Sequence, residues 1–172
     1  MKKSVLIALS AVSAALATVF LVVGIFVPMF DYSCIFIASV CMMIPLTKKS
    51  VRGGILAFVA SALLTLLFSS GRWEVVVTYA LFFGLHPTAN FIFREKKLNK
   101  IIAFLIKEVW FIASLLVVYF LFESFFAFET EWARAYALPI IIVGGGLLFV
   151  VYDFAMIRFQ KLLDIAVKRL KL

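Results

Sequence analysis

The sequence predicts an all-α integral membrane protein, a bundle of six transmembrane helices with both termini cytoplasmic. Three observations carry this. Of the 172 residues, 66% are hydrophobic and 15% charged, with a mean hydropathy of +1.17, whereas a soluble domain has roughly 45–50% apolar and about 25% charged residues. The apolar residues fall into six runs without the period-2 alternation of a membrane β-barrel. The basic residues collect at one set of run ends. A water-soluble fold of this length has too little interior for so much apolar surface. Lipid is therefore the solvent, and a cytosolic enzyme or secreted domain is excluded. One membrane domain, residues 1–172, accounts for the whole chain.

The runs lie at about 5–27, 32–45, 53–68, 75–93, 101–122 and 135–156. A span needs about 20 apolar residues, with a range of roughly 17–25. Runs one, four, five and six meet this, run three is near the lower limit, and run two is short enough to be tilted, thinned or re-entrant. Charge decides for six crossings. With all six spanning, Lys2, Lys3, Lys48, Lys49, Arg52, Arg94, Lys96, Lys97, Lys100, Arg158, Lys161, Lys168, Arg169 and Lys171 lie inside, and only Arg72 and Arg134 outside. Lys/Arg bias in short loops sets orientation, so the basic side is cytoplasmic and the membrane is the inner cell membrane. The net charge of +8 is then a set of span flanks. No basic stripe interleaved with stacking aromatics points to nucleic acid.

Span one opens on Lys2 and Lys3 and continues past Ala15-Leu16-Ala17 into Phe20, Leu21 and Val22. It is longer than a signal-peptide core and reads as an uncleaved helix. It is rich in small residues, and Ala11 and Ala15 share one face, where a second helix can approach closely. That helix is either a partner's or another span of this chain. Span two holds Cys34 and Cys41, which a helix separates by ~10 Å, too far for a disulfide. Span four carries Gly84, His86 and Pro87. Pro87 removes a helical hydrogen bond and favours a kink, and the freed carbonyl of Phe83 needs a partner. His86 is either a switchable proton carrier or a neutral hydrogen-bonding core residue.

Span five contains Lys107 and Glu108, ~10 Å deep from its inner end, and span six contains Asp153 at a neighbouring depth. Ionisable residues in lipid face the bundle interior and pair. His86, Lys107, Glu108 and Asp153 are thus the candidate intramembrane polar network. The alternative is that Lys107 snorkels to the headgroups. Gly144-Gly145-Gly146 falls midway along span six and permits close packing, bending or approach of a ligand. Residues 158–172 form a basic amphipathic tail suited to the inner leaflet. At the outer ends, Trp73, Glu74, Tyr79, Glu123, Trp132 and Tyr136 are either interfacial belts or a substrate pocket with stacking aromatics and acids that fix polar groups. No cluster of His, Cys and acids has metal-ligand spacing, and neither a catalytic set nor a cofactor is expected.

The basic start, the Ala-rich first helix with Ala11-x-x-x-Ala15 and the six spans resemble the substrate-binding S component of energy-coupling factor (ECF) transporters. Residues 8–28 and the segment Ala80-Leu-Phe-Phe-Gly-Leu-His-Pro87 also resemble bacterial membrane proteins related to that family. The resemblance implies a small, vitamin-like nutrient bound from the outer side. It also implies a transmembrane coupling subunit docked on Ala11 and Ala15, and two ATPase subunits. No G-x-x-x-x-G-K-[ST] loop occurs in this chain, so the energy would come from those partners. Met1-Lys-Lys-Ser4 lacks the His-rich start of metal-ion S components. Two other classes fit the composition: a membrane scaffold recruiting partners through its basic loops and tail, and an intramembrane lipid-modifying enzyme built on His86, Glu108 and Asp153.

Overall fold

The structure is a computed structural model that describes residues 3–122 and 131–169. Its elements are α1 (Lys3–Phe26), α2 (Asp31–Cys41), α3 (Val51–Leu67), α4 (Trp73–Thr78), α5 (His86–Glu95), α6 (Lys100–Leu121), α7 (Glu131–Ala135) and α8 (Ala137–Arg169). Short 3₁₀ turns at Pro28–Phe30 and Pro45–Lys48 flank α2, and a π-helical segment, Tyr79–Phe83, joins α4 to α5. No strand occurs among the described residues. Hydrocarbon offers the backbone no water to bond, so intrasegment helical bonds are the expected solution. Five segments are long and apolar enough to cross a membrane: Ser4–Phe26, Pro28–Lys48, Trp73–Glu95, Lys100–Leu121 and Ala137–Val167. Val51–Leu67 is apolar but shorter.

The second apolar run gains its length from its prolines. Pro28 and Pro45 each start a 3₁₀ turn, where their fixed φ suits a helix start and their missing N–H is no loss. The resulting helical stretch is 21 residues long. The glycine triplet does not break the last helix. α8 runs through it and on into the basic tail without a stop at Arg158. Of the expected tail, residues 170–172 lie outside the described residues.

α1 buries the face formed by Ser13, Ala14, Ala17, Thr18, Leu21 and Ile25, chiefly against α2 and α3. A methyl on Gly24 would come within 3.0 Å of Cys34 Cβ, so α1 and α2 touch almost backbone to backbone. The Ser13 hydroxyl donates to the Cys41 carbonyl at 2.7 Å, across the same contact. Cys34 and Cys41 are both buried and unbridged. A first core joins Leu21, Ile35, Ala57, Val75 and Tyr79. A second joins Met43, Phe82, Phe111, Phe149, Tyr152 and Met156. Phe83 packs against both.

Polar contacts fasten the two ends. At one end, Arg72 donates from Nη1 to the carbonyls of Gly24 (3.3 Å) and Ile25 (3.2 Å). It also donates from Nη2 to Asp31 Oδ2 (3.1 Å) and from Nε to Glu74 Oε1 (2.8 Å). These carbonyls belong to the last turn of α1, which lacks helical donors. Asp31 and Glu74 open α2 and α4, where negative charge suits the helix dipole. Burial pulls the Arg72 pKa down, but the hydrogen bonds to Glu74 and Asp31 outweigh it and hold the guanidinium above its ordinary value. At the other end, Lys49 Nζ lies 3.7 Å from Glu95 Oε1 with both side chains largely exposed. Such a pair adds little stability, but it puts the Pro45–Lys48 turn beside the end of α5.

Gly84, after the π segment, has no room for a side chain. An added Cβ would meet the Phe58 ring at 2.4 Å and Tyr79 Cζ at 2.8 Å. Gly84→Ala should therefore cost about 1–3 kcal/mol through overpacking, seen as a lower melting temperature in detergent. Gly144→Ala, whose new methyl meets nothing within 4 Å, should leave the melting temperature unchanged or slightly raised.

Candidate functional site

The site begins with the irregular middle of span four. The Gly84 amide reaches back five residues to the Tyr79 carbonyl at 2.8 Å, which opens one wide turn ahead of Pro87. Side chains from two neighbouring helices capture carbonyls of that turn. Ser39 Oγ of α2 donates to Phe83 O at 2.6 Å, and Trp110 Nε1 of α6 donates to Leu81 O at 2.9 Å. The partner that the Phe83 carbonyl requires is thus Ser39. Because the Ser39 proton is committed there, the Tyr152 hydroxyl, 2.8 Å from Ser39 Oγ, is the donor of that pair.

This arrangement presents His86 to α6 and α8. Asp153 Oδ1 accepts from Lys107 Nζ at 2.5 Å and from His86 Nε2 at 3.2 Å. Lys107 Nζ also donates to Asn90 Oδ1 at 3.1 Å. The side chains of His86, Lys107 and Asp153 are 0%, 4% and 8% exposed, so Lys107 does not snorkel. The rings of Phe82 and Tyr152 lie 4.9 Å from the His86 ring and that of Phe149 6.2 Å. With Nε2–H directed at the carboxylate, His86 Nδ1 is left as a buried lone pair without a partner. The cluster joins α5, α6 and α8 through one carboxylate oxygen, and it can hold or exchange a proton only within an aromatic shell.

Three of the four residues expected in the polar network thus meet. Glu108 does not join them. It lies one residue, or 100°, around α6 from Lys107, in the seam with α8, where a Cβ added to Gly146 would sit 3.4 Å from its Oε1. Asn90 joins instead. It stands four residues after His86, on the same face of α5, and that i, i+4 relation was the sequence signal for it.

Above the cluster lies an open groove of about 830 Å³, in the half of the bundle that holds Asp31 and Arg72, and its lining residues Tyr32, Leu148 and Val151 are more than half exposed. α2 contributes Tyr32, Ser33, Phe36 and Ile37, and the α4–π stretch contributes Thr78 and Phe83. α6 adds Phe111 and Leu115, and α8 adds Ile141, Gly144, Gly145, Leu148 and Tyr152. Among the described residues no charged side chain lines it. Phe111 and Tyr152 form its floor and belong to the aromatic cluster around His86. The glycines have two roles: Gly145 is buried against Leu115, and Gly144 leaves open space.

Of the outer residues expected in a substrate pocket, none of the described ones lines this groove. Tyr79 is fully buried on the opposite side of its helix, its hydroxyl 2.8 Å from Ser61 Oγ and its ring beside Phe58. Its neighbour Thr78, 100° away, is the one on the cavity wall. Glu74 is bound to Arg72. Trp73, Trp132 and Tyr136 are about half exposed or more, and the last two pack on each other with centroids 5.8 Å apart. Glu123 lies outside the described residues. Ala11 and Ala15 are exposed on α1, away from its inward face, so neither is consumed by internal packing. Among the described residues no three His, Cys, Asp or Glu side chains come together as metal ligands.

Comparison with known proteins returns no match: no family model fits the chain, and no curated protein or solved structure is similar to it. The functional reading therefore stands on the geometry.

Removing one member of a buried ion pair strands the other, at roughly 3–5 kcal/mol. Lys107→Ala should lower the melting temperature in detergent accordingly. Lys107→Met combined with Asp153→Asn should recover part of the loss, because no unpaired charge remains.

Proposed function

We propose that the chain is a ligand-binding membrane subunit of the S-component type, which captures a small nutrient from the outer side and depends on partner subunits for energy. The cavity carries this reading. Ligand sites commonly enclose about 300–1,000 Å³, with apolar and aromatic walls and a few polar groups. Here an open groove of about 830 Å³ is lined by Phe36, Phe83, Phe111, Ile141 and Leu148, with Tyr32, Ser33, Thr78 and Tyr152 as its hydroxyl-bearing residues. With no charged residue among the described lining, this reading favours a neutral ligand with a mostly apolar body and a few hydrogen-bonding groups. A charged ligand would lose its hydration without gaining a counter-ion.

In this reading α3 also crosses, giving six spans with both termini in the cytoplasm. The Lys49–Glu95 contact supports it by putting two basic segments at one end. The Arg72 contacts support it by gathering the ends of α1 and the starts of α2 and α4 at the other. The cavity then opens in the outer half. Exposed Ala11 and Ala15 on α1 fit the docking of a coupling subunit, since small residues let a partner helix approach closely in lipid.

Purification from native membranes followed by mass spectrometry of extracted small molecules should find a neutral compound retained by the protein. Gly144→Leu projects into the open space of the cavity. It should abolish that retention while leaving the melting temperature near that of the parent. Absence of any retained compound, together with no melting shift on adding neutral nutrients, would count against a binding subunit. Ala11→Trp should preserve folding and ligand retention but eliminate co-purification of a membrane coupling subunit.

A further inference from the structure

α1 and α3 leave between them a second concavity, of about 520 Å³, on the lipid-facing side of the bundle. Its walls are apolar and mostly small, including Leu6, Ala11, Ala14, Leu56 and Ala60. From Arg52 to Ala60 it extends roughly 12 Å along α3. One end differs sharply from the rest. Arg52 is exposed there, and it makes no ion pair among the described residues.

The same end is the start of α3, a 17-residue helix. Ser50 Oγ accepts the Gly53 amide at 3.0 Å and Ser50 O accepts the Gly54 amide at 3.0 Å. The Val51 and Arg52 amides have no acceptor within the helix. Lys48 and Lys49 stand on the turn just before. A guanidinium, a helix N-terminus and a basic turn thus sit at the mouth of an apolar groove.

We propose that this groove holds an anionic glycerophospholipid of the leaflet on the basic side, with one acyl chain along α1 and α3 and its phosphate on Arg52. Charge argues for that occupant. Apolar groove walls alone do not prefer one lipid to another, because acyl chains are as apolar as leucine. Selection therefore falls to the headgroup, and an unpaired guanidinium at a membrane surface favours a phosphate with no compensating amine. The inference does not rest on the ligand-binding reading. The two concavities share no residue, and the groove shares only Ala11 with the docking face proposed for α1, since Ala15 lies outside the groove.

The test is native mass spectrometry of the full chain reconstituted in bilayer nanodiscs of equal phosphatidylglycerol and phosphatidylcholine, then released into detergent. The parent should retain phosphatidylglycerol in clear excess. Arg52→Gln should cut that excess by about tenfold, the scale of one lost charge-assisted hydrogen bond. Ala60→Leu, which narrows the groove and keeps Arg52, should reduce retention of both lipids by the same factor. Equal retention of the two lipids by the parent would overturn the proposal, as would unchanged phosphatidylglycerol retention in Arg52→Gln. Displacement of the lipid by millimolar inorganic phosphate would assign the site to a soluble anion instead. A two-chain mass lost on Ala60→Leu would assign the groove to a second copy, and would equally overturn the lipid.

Discussion

An ammonium held against a carboxylate inside an apolar bundle constrains everything around it. Lys107 and Asp153 come from α6 and α8, and His86 from α5 shares the same carboxylate oxygen. Moving either ion out of this contact would leave a charge buried at a cost of several kcal/mol. The relative rotation and depth of three helices are therefore tightly limited. The aromatic shell follows from the same constraint. Phe82, Phe149 and Tyr152 pack on His86, and Tyr152 is also the floor of the cavity. The ion cluster and the groove are thus two faces of one layer of side chains.

The π segment connects that layer to the rest of the bundle. A regular helix would have kept its carbonyls for itself. The wide turn before Pro87 gives Phe83 O to Ser39 and Leu81 O to Trp110. Span four is thereby hydrogen-bonded to α2 on one side and α6 on the other. In lipid, where apolar packing between helices gains little over packing against acyl chains, such bonds help fix which helices are neighbours. Gly84 completes the arrangement by letting the Phe58 ring of α3 reach the turn.

Five of the six expected spans were legible from hydropathy because a helix in hydrocarbon must be long and apolar, whereas Val51–Leu67 is apolar but shorter. Even the short second run was recoverable once Pro28 and Pro45 are read as helix starters. The need of the Phe83 carbonyl for a partner followed from Pro87 alone. What composition does not encode is the rotation of each helix about its axis. Lys107 and Glu108, or Thr78 and Tyr79, are neighbours in sequence but 100° apart, and only the packing of other helices decides what each of them faces. The outer aromatics were grouped by depth, whereas the cavity is built by angular position and by the missing side chain of Gly144. Asn90 was overlooked for a related reason. Its amide matters only because Lys107 arrives from another helix with a donor to spare.

The order of elements along the chain adds a consequence for biogenesis. During synthesis α6 emerges well before residue 153, so Lys107 enters the bilayer with its future counter-ion still unmade. A lysine at the centre of an inserting helix costs about 2.5–3.5 kcal/mol; Lys107, a third of the way along α6, costs no more, and the remaining apolar residues of α6 readily offset it. α6 can therefore insert, but as a helix carrying an unquenched positive charge, with Asn90 its nearest polar relief. A chain stopped short of α8 displays that charge indefinitely. Arrival of α8 neutralises it, closes the cavity wall and marks the bundle as complete in a single docking step.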